Sequence, residues 1–592
     1  MAEMLFMNDF TGGWNADKSP ESLQPNELVV ADNIDISNRG GVRKRPGLVA
    51  INTSYGAKVT QIFEWVRASG NVYLMAVIGN GLYQVSESGS RTLVQTLKAN
   101  CESVSFFSFN DKLYFLDGEK IYTYNGSTSS PITQAGTPTI SAVPAPEGVE
   151  PLAKGLYRIA VTFELSGGTM VGPLAIGTYN LTANDSILKW TNIPSGPIGT
   201  VARRLWRTMP GLERFYAIGE VTQQNDFTDS VQIRGAHGPG EPFSASSNFE
   251  AINRCRFAVR HPKSLRVFYA GDPSNQNALM FSEPNAPDYV KGTSVMYPST
   301  DEGPITGLAL FMDSVMVFFR HCAYIWRGID PEIDAIWTRI PIADGVRAHR
   351  TICHTTNSLT YLGDGGIYTL HPSVLGQNAE VELGTNVVGD ITRERISSVI
   401  KNIRNPEKCV ATFDRKNRRY ILAYEDPDIA VSGNNALLVM EEQFGGSCVR
   451  WQPIKAHCVY TRLNGEVLIG TDNFICKFGG HTDLGQPIQF AMSGLYAPNT
   501  AMTRKLFTKV TVTTRDEALP EKYMLDIGTG EGFTKSYVIQ HDDSFVIDTV
   551  NKRFRTTAKM ISVGIRHNEP VDFEVQSIGI EYTPVRAYGR RT

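Results

Sequence analysis

One short pattern recurs along the chain and constrains the fold more than any other feature. It is clearest at Leu113–Gly126, LYFLDGEKIYTYNG, where two alternating apolar runs flank a turn that contains Asp117 and Gly118. Alternation with a period of two around a tight Asp/Gly turn predicts a β-hairpin. The same pattern returns at Val72–Val85, Leu265–Phe281, Val315–Trp326, Leu359–Leu370, Tyr420–Met440 and Val467–Phe478.

The spacing of these hairpins predicts the architecture. Their first strands begin at residues 72, 113, 265, 315, 359, 420 and 467, so successive starts are 41, 152, 50, 44, 61 and 47 residues apart. All but one of these steps lie near the roughly 40–50 residues of a propeller blade. Blades packed around an axis bury the faces that a single blade leaves open. We therefore expect an all-β chain with a β-propeller of six or seven blades. The alternative is a run of unrelated hairpins in two or three sandwiches.

The one long step and the two chain ends set the expected domains. The long step exceeds one blade by about 110 residues, close to the size of a β-sandwich of ~100 residues. We therefore expect residues 135–250 to form an inserted immunoglobulin- or fibronectin-like sandwich. Residues 61–134 and 251–482 are the two expected parts of the propeller. Residues 1–60 are expected to be an N-terminal arm or docking segment with a short helix near Asn26–Asn33. Residues 483–592 are expected to be a C-terminal β-domain with a basic tail that contains Arg586, Arg590 and Arg591.

Charge and cysteine usage exclude several classes of protein. The chain has 57 Lys and Arg against 60 Asp and Glu, a net charge of −3. Such a balance does not favour binding nucleic acid by charge over the whole surface. The eight cysteines include no CxxC pair, which favours free thiols and assembly in a reducing cytoplasm. No run of 18 apolar residues occurs, so we expect no membrane-spanning segment.

The sequence gives little sign of catalysis. It contains no G-x-S-x-G elbow, no P-loop and no H-E-x-x-H motif. Asp330, Glu332 and Asp334 alternate, but they lack the glycine bend and the distal Glu of a calcium loop, so we expect an acidic loop. We therefore expect a protein that is not an enzyme, with no catalytic, cofactor-binding or metal-binding residues. Paired carboxylates of a glycosidase could still converge in a propeller, and a sequence does not show which of them do.

Two basic clusters are candidate binding residues. The first is Arg43, Lys44 and Arg45, followed by Pro46, and the second is Arg415, Lys416, Arg418 and Arg419 at a hairpin turn. Each could be a solvated loop, a contact with a neighbouring subunit, or a weak contact with DNA phosphates that lacks sequence preference.

The N-terminal segment carries several motifs in a fixed order. Phe10-Thr11-Gly12-Gly13-Trp14 is followed by P-x-x-L-x-P-x-E at 20–27, and then by G-G-V-R-K-R-P-G at 40–47. This order before a propeller resembles the tail nozzle proteins of short-tailed bacteriophages, also called the tail tubular protein B-type or tail hub family.

The resemblance implies a structural virion protein of the phage tail, assembled in the host cytoplasm. It implies a ring, expected to be a homohexamer, that extends the portal–adaptor channel for genome ejection. The implied partners are a tail adaptor protein, tail fibre or needle proteins, and double-stranded DNA in transient, non-specific contact. We expect Phe10, Gly12, Gly13, Trp14, Arg43, Lys44, Arg45 and Pro46 at a subunit or adaptor interface, and Arg415, Lys416, Arg418 and Arg419 in a lumen or interface loop. The alternatives are a glycan-binding adhesin and a tail-associated glycan depolymerase.

Overall fold

Strands make up nearly all the regular structure of this chain. The computed structural model describes residues 2–19, 22–37, 39–133, 136–166, 170–196, 199–234, 248–340, 342, 344–371, 387–498, 503–515, 522–529, 534–540 and 547–585. Within these residues the helices are short: α-helices at Phe249–Asn253 and Ser397–Lys401, and 3-10 helices at His349–Thr351, Pro406–Lys408 and Glu442–Phe444. No helix among them is long and apolar enough to span a bilayer.

The hairpin at Leu113–Gly126 forms as the sequence predicts. Lys112–Leu116 pairs with Ile121–Tyr124 in antiparallel register, with Leu116 opposite Ile121. The Asp117 carboxylate accepts the backbone N–H groups of residues 119 and 120 at 3.0 and 2.9 Å, which closes the turn. The other six predicted hairpins also pair as antiparallel strands.

These hairpins belong to seven four-stranded antiparallel units, which we number as blades in chain order. Blade 1 is Val59–Val66, Val72–Ile78, Gly81–Val85 and Arg91–Thr96; blade 2 is Ser105–Phe109, Lys112–Leu116, Ile121–Tyr124 and Ser129–Pro131; blade 3 is Phe257–Arg260, Val267–Asp272, Asn275–Phe281 and Val295–Met296; blade 4 is Gly307–Phe311, Ser314–Phe318, Ala323–Trp326 and Thr338–Ile340.

The remaining three blades lie in the second half of the chain. Blade 5 is Cys353–His354, Leu359–Leu362, Ile367–Leu370 and Val387–Asp390; blade 6 is Val410–Asp414, Arg419–Tyr424, Ala436–Glu441 and Ser447–Trp451; blade 7 is Cys458–Thr461, Val467–Gly470, Ile475–Phe478 and Leu48–Ala50. The chain is therefore an all-β protein of the propeller type, and its described blades number seven, within the predicted range.

Blade 7 takes its fourth strand from the start of the chain. Leu48–Ala50 pairs antiparallel with Ile475–Phe478. Thr482–Asp483 then pairs with the other edge of Leu48–Ala50 and with Gln486–Pro487. The N-terminal segment therefore completes a blade as well as preceding the propeller.

The contacts divide the chain into two compact units, each with its own cores. One unit is Met1–Thr96, Arg320–Cys322 and Ile340–Thr592, and the other is Leu97–Phe319 and Ala323–Arg339. In the first, blades 1 and 7 share a core that includes Leu74 and Leu468. In the second, blades 2 and 3 share a core that includes Phe107 and Tyr269, whose rings meet edge to face. In each pair, the facing sides of the two blades thus bury one another, as the repeat predicts.

In its described residues, the predicted insertion is a two-sheet sandwich of seven strands. One sheet is Thr139–Pro144, Ser186–Thr191 and Phe227–Asp229, and the other is Met170–Leu181, Gly155–Leu165, Thr200–Thr208 and Phe215–Val221. Phe163 from one sheet and Trp190 from the other are fully buried in one shared core. A buried ion pair at 2.5 Å joins Arg207 to Asp229 across the sheets.

The two chain ends build a second sandwich together, which we call the terminal sandwich. Its first sheet has the strands Ile547–Ala558, Lys505–Arg515, Glu574–Pro584, Val42–Lys44 and Ile34–Ile36, with Glu3–Met7 also on Glu574–Pro584. Its second sheet continues blade 6 through Val30–Asp32, Phe490–Tyr496, Ile561–His567, Lys522–Gly528 and Thr534–Gln540. The segments 1–60 and 483–592 are expected from the sequence to be separate, but their strands share sheets. The predicted basic tail at Arg586, Arg590 and Arg591 lies outside the described residues.

The predicted helix near Asn26–Asn33 is wrong. This stretch contains the strands Glu27–Leu28 and Val30–Asp32. Glu27–Leu28 pairs with Gly13–Trp14, and Val30–Asp32 pairs with Phe490–Tyr496. Pairing with strands elsewhere in the chain outweighs the local preference of a short segment.

Candidate functional site

The Phe10–Trp14 motif is packed inside the chain. Phe10 is fully buried and Trp14 is 7% exposed. Gly13 has a φ of +65°, and a Cβ atom there would lie 2.4 Å from the Ser447 hydroxyl oxygen of blade 6. A Cβ atom on Gly12 would meet a backbone oxygen at 2.6 Å. The two glycines are therefore required by close backbone approach.

The basic run at 43–45 has one exposed member and two buried ones. Arg43 has a side chain that is 56% exposed, whereas Lys44 and Arg45 are buried. The Lys44 ammonium donates to the backbone oxygens of Glu569 and Val571. Pro46 is half-buried. The strand Val42–Lys44 explains the opposite environments of Arg43 and Lys44, because successive side chains point to opposite faces of a sheet. Arg45 follows the strand and is also buried.

Arg45 joins the N-terminal segment to the sheet of blade 7. Its guanidinium donates to both carboxylate oxygens of Asp483, at 2.9 and 2.5 Å, and to the Asn33 amide oxygen at 2.8 Å. It also lies 5.9 Å from the centre of the Trp451 ring. This is a bidentate pair whose arginine side chain has no exposed surface. Such a pair fixes both the distance and the orientation of the segments that it joins.

The two predicted basic clusters meet at one carboxylate. Asp35 accepts from Arg43 at 2.6 Å and also from the buried Arg419, which belongs to the second cluster. Arg419 in turn approaches the Glu441 carboxylate to 2.6 Å, without the alignment of a hydrogen bond. Burial raises the pKa of Glu441 to about 7, and the attraction of Arg419 only partly opposes this effect. We call Asp35, Arg43, Arg419 and Glu441 the Asp35 cluster.

A third arginine link lies beside these two. Arg450 makes a bidentate pair with Asp32, at 2.7 and 3.1 Å, and a further contact with Asp426 at 3.0 Å. Its guanidinium lies 4.9 Å from the centre of the Trp14 ring. Three arginines thus tie the N-terminal strands to blade 6 and to the sheet of blade 7. We call these contacts the arginine links.

The second basic cluster divides at the end of its hairpin turn. Arg415, Lys416 and Arg418 are exposed, whereas Arg419 is buried in the Asp35 cluster. Arg418 pairs with Glu442 at 3.0 Å and its side chain is 53% exposed. The lumen or interface role stays a prediction for the three exposed residues. Arg419 is already occupied by partners of its own chain.

The same division applies to the predicted subunit or adaptor interface. Phe10, Gly12, Gly13, Trp14, Lys44 and Arg45 lie in intramolecular contacts, and Arg43 is the exposed member of the set. Sequence reasoning missed the acidic partners Asp32, Asp35, Glu441 and Asp483. No local signal marks them, since Asp35 and Arg419 are 384 residues apart and Arg45 and Asp483 are 438 apart.

The acidic residues of the loop and of the arginine links pair with cations of the same chain. In the acidic loop, Asp330 pairs with Arg266 and Glu332 with Lys291, each at 3.1 Å. Searched over the described residues, the chain has no group of three His, Cys, Asp or Glu side chains placed to hold a metal ion. The carboxylates of the arginine links are likewise bound by guanidinium groups, which fixes their orientation.

Comparison with known proteins adds only remote likenesses. No protein-family model matches the sequence, and no curated protein matches it. Among solved structures, a streptogramin B lyase aligns with a TM-score of 0.27 and 9% identity, over 73% of this chain and 97% of that one. A gluconolactonase from Xanthomonas campestris aligns with a TM-score of 0.27 and 9% identity, over 78% and 96%. An exo-β-1,3-galactanase from Phanerochaete chrysosporium has a TM-score of 0.17 at 10% identity, over 90% and 100%.

At TM-scores this low, these structural similarities support no inference about activity. The assignment to the propeller type rests on the seven blades themselves.

Proposed function

We propose that this chain is a structural subunit of the tail of a short-tailed bacteriophage. In this proposal it forms a ring, a homohexamer, that extends the portal–adaptor channel and passes the genome. It binds a tail adaptor protein on one side and fibre or needle proteins on the other. It is assembled in the host cytoplasm, acts in the virion, and has no catalytic activity.

The observation that carries the proposal is the ordered set of N-terminal motifs. The F-x-G-G motif and the G-G-V-R-K-R-P-G motif resemble the nozzle family in sequence. In this fold they supply close glycine contacts at Gly13 and Gly47 and the buried guanidinium of Arg45. The resemblance therefore falls on residues that join the propeller to the terminal sandwich. Rigid joints suit a subunit that must keep its shape while DNA moves past it.

The charge distribution also supports the proposal. The net charge is −3, and several arginines of the basic clusters are neutralised by carboxylates of the chain itself. A channel lined with many unpaired cations would hold DNA through phosphate contacts and slow its passage. We propose that the exposed Arg415, Lys416 and Arg418 contact a neighbouring subunit and that their contact with DNA is weak and transient.

The test is assembly of the purified full chain with and without this exposed cluster. We expect rings for the wild type and impaired rings for Arg415→Ala/Lys416→Ala/Arg418→Ala. A matched control is Lys112→Ala/Lys120→Ala in blade 2, which removes two lysines from another hairpin and should leave assembly intact. Normal rings with altered DNA passage would refute the assignment of the cluster to subunit contact. Turnover of host capsule or lipopolysaccharide by the purified chain would instead favour a glycan depolymerase.

A further inference from the structure

The terminal sandwich has strand edges of two different kinds. Ile547–Ala558 ends one sheet, and Lys552, Arg553 and Arg555 along it place three cations on that edge. Charged residues on an edge strand are the usual protection against pairing with another chain. Two other edges of the same sandwich carry fewer charges and have exposed apolar side chains.

The first of these is Glu3–Met7, which pairs with Glu574–Pro584 along one side only among the described strands. Met4 and Phe6 on this strand are 52% and 57% exposed, whereas Met7 is 4% exposed and packs in the core. Both exposed side chains lie over Gly579, whose lack of a Cβ atom makes room for them. The strand therefore presents two apolar side chains and a row of backbone donors and acceptors at the surface.

The second is Thr534–Gln540, the last strand of the nine-stranded sheet in the described part of the chain. Val538 is 63% exposed and Ile539 is 3% exposed. The strand thus has a core face that carries Ile539 and an outer face on which Val538 stands exposed among Thr534, Ser536 and Gln540. A strand edge of this kind gains backbone hydrogen bonds and apolar burial when another strand is added to it.

We propose that Glu3–Met7 adds to the edge of Thr534–Gln540 in a second copy of this chain. A parallel register that sets Phe6 beside Val538 also sets Glu3 beside Lys535, so an apolar pair and a pair of opposite charges coincide. The Glu3 carboxylate accepts from the Tyr582 hydroxyl of its own chain at 2.7 Å, and a carboxylate can accept from a second donor as well. In the same register, the core-facing Met7 falls beside the core-facing Ile539. Because the two edges belong to different strands of one sandwich, the contact is heterologous and each copy can bind two neighbours. The inference rests on the proposed function, since it names the contact between subunits of the ring.

The test is disulfide trapping between copies of the full chain. Of the native cysteines described, seven are buried and Cys353 is half-buried, which keeps background cross-linking low. A mixture of the Phe6→Cys and Val538→Cys variants should give a covalent dimer on mild oxidation. The variant that carries both substitutions should give a ladder of covalent oligomers. Leu93→Cys, at a 53% exposed position on the edge of blade 1, replaces Phe6→Cys as the matched control and should give no cross-link with Val538→Cys.

A second measurement avoids cysteine chemistry. Phe6→Lys with Val538→Lys places like charges at the contact and should weaken self-association by about tenfold or more, measured by sedimentation. Rings without a 6–538 cross-link would overturn the strand contact and leave the proposed function standing. A ladder without rings would support the contact and count against the ring. Cross-links between two Phe6→Cys copies alone, or a wild type that stays monomeric, would overturn the contact.

Discussion

Arg43 and Arg45 stand two residues apart in one basic run, yet they occupy opposite environments. The Arg45 side chain is fully buried and donates to Asn33 and to both carboxylate oxygens of Asp483. The Arg43 side chain is 56% exposed, and its partner Asp35 is also held by Arg419. We therefore predict that Arg45→Ala destabilises the fold strongly and that Arg43→Ala does so weakly.

The expected magnitudes follow from burial. Removing one partner of a buried ion pair costs about 3–5 kcal/mol, because the other charge is left without compensation. Asp483 keeps 18% of its side chain exposed, so water recovers part of this loss and we expect about 3 kcal/mol for Arg45→Ala. An exposed pair contributes roughly 0–1 kcal/mol, and this range applies to Arg43→Ala because Asp35 keeps Arg419.

The assay is urea unfolding followed by tryptophan fluorescence. The Arg45 guanidinium lies 5.9 Å from the ring of Trp451, which is one of the seven tryptophans of the chain, so this region contributes to the emission. The midpoint of that transition should fall for Arg45→Ala and change little for Arg43→Ala. Asp483→Asn should be non-additive with Arg45→Ala in a double-mutant cycle, since the two residues are in contact. Equal midpoints for the two alanine variants, or additive effects in the cycle, would refute the reasoning.

Three further predictions address the Asp35 cluster, a glycine contact and the blade core. Burial raises the pKa of Glu441 from its ordinary 4.5 to about 7, so this side chain stabilises the fold most below pH 4.5 and progressively less as the pH rises to 7. Glu441→Gln should reduce the decrease of the denaturation midpoint between pH 4.5 and pH 7. A variant whose midpoint falls with pH as steeply as that of the wild type would contradict this prediction. Gly47→Ala should reduce the melting temperature, because its Cβ atom would lie 2.1 Å from a backbone oxygen, whereas Gly136→Ala has open space and should not. Leu422→Ala, fully buried in blade 6, should cost about 2–5 kcal/mol in urea unfolding. Ile333→Ala, at 87% exposure, should be near neutral.

Much of the propeller could be predicted because its signals are local. Each hairpin is determined by residues that are adjacent in sequence, as in the alternation of Leu113–Leu116 and the turn at Asp117. The terminal strands have no such local signal. Val30–Asp32 has only three residues, and its partner Phe490–Tyr496 is about 460 residues away, so only the folded chain shows that it is a strand.

The candidate site shows the same limit. The sequence identifies the cations Arg43, Arg45 and Arg419 but not their separation into exposed and buried groups. That separation depends on Asp35 and Asp483, which reach these cations through tertiary pairing. A basic run in a sequence therefore shows that positive charge is present, but it does not show whether that charge is exposed to a partner.

Images of the purified full-length chain by cryo-electron microscopy test the central claim most directly. A ring-forming tail subunit predicts closed rings with a central channel, six copies in each, wide enough for double-stranded DNA. Single particles that stay monomeric at every concentration examined, with or without a tail adaptor protein, would contradict the account.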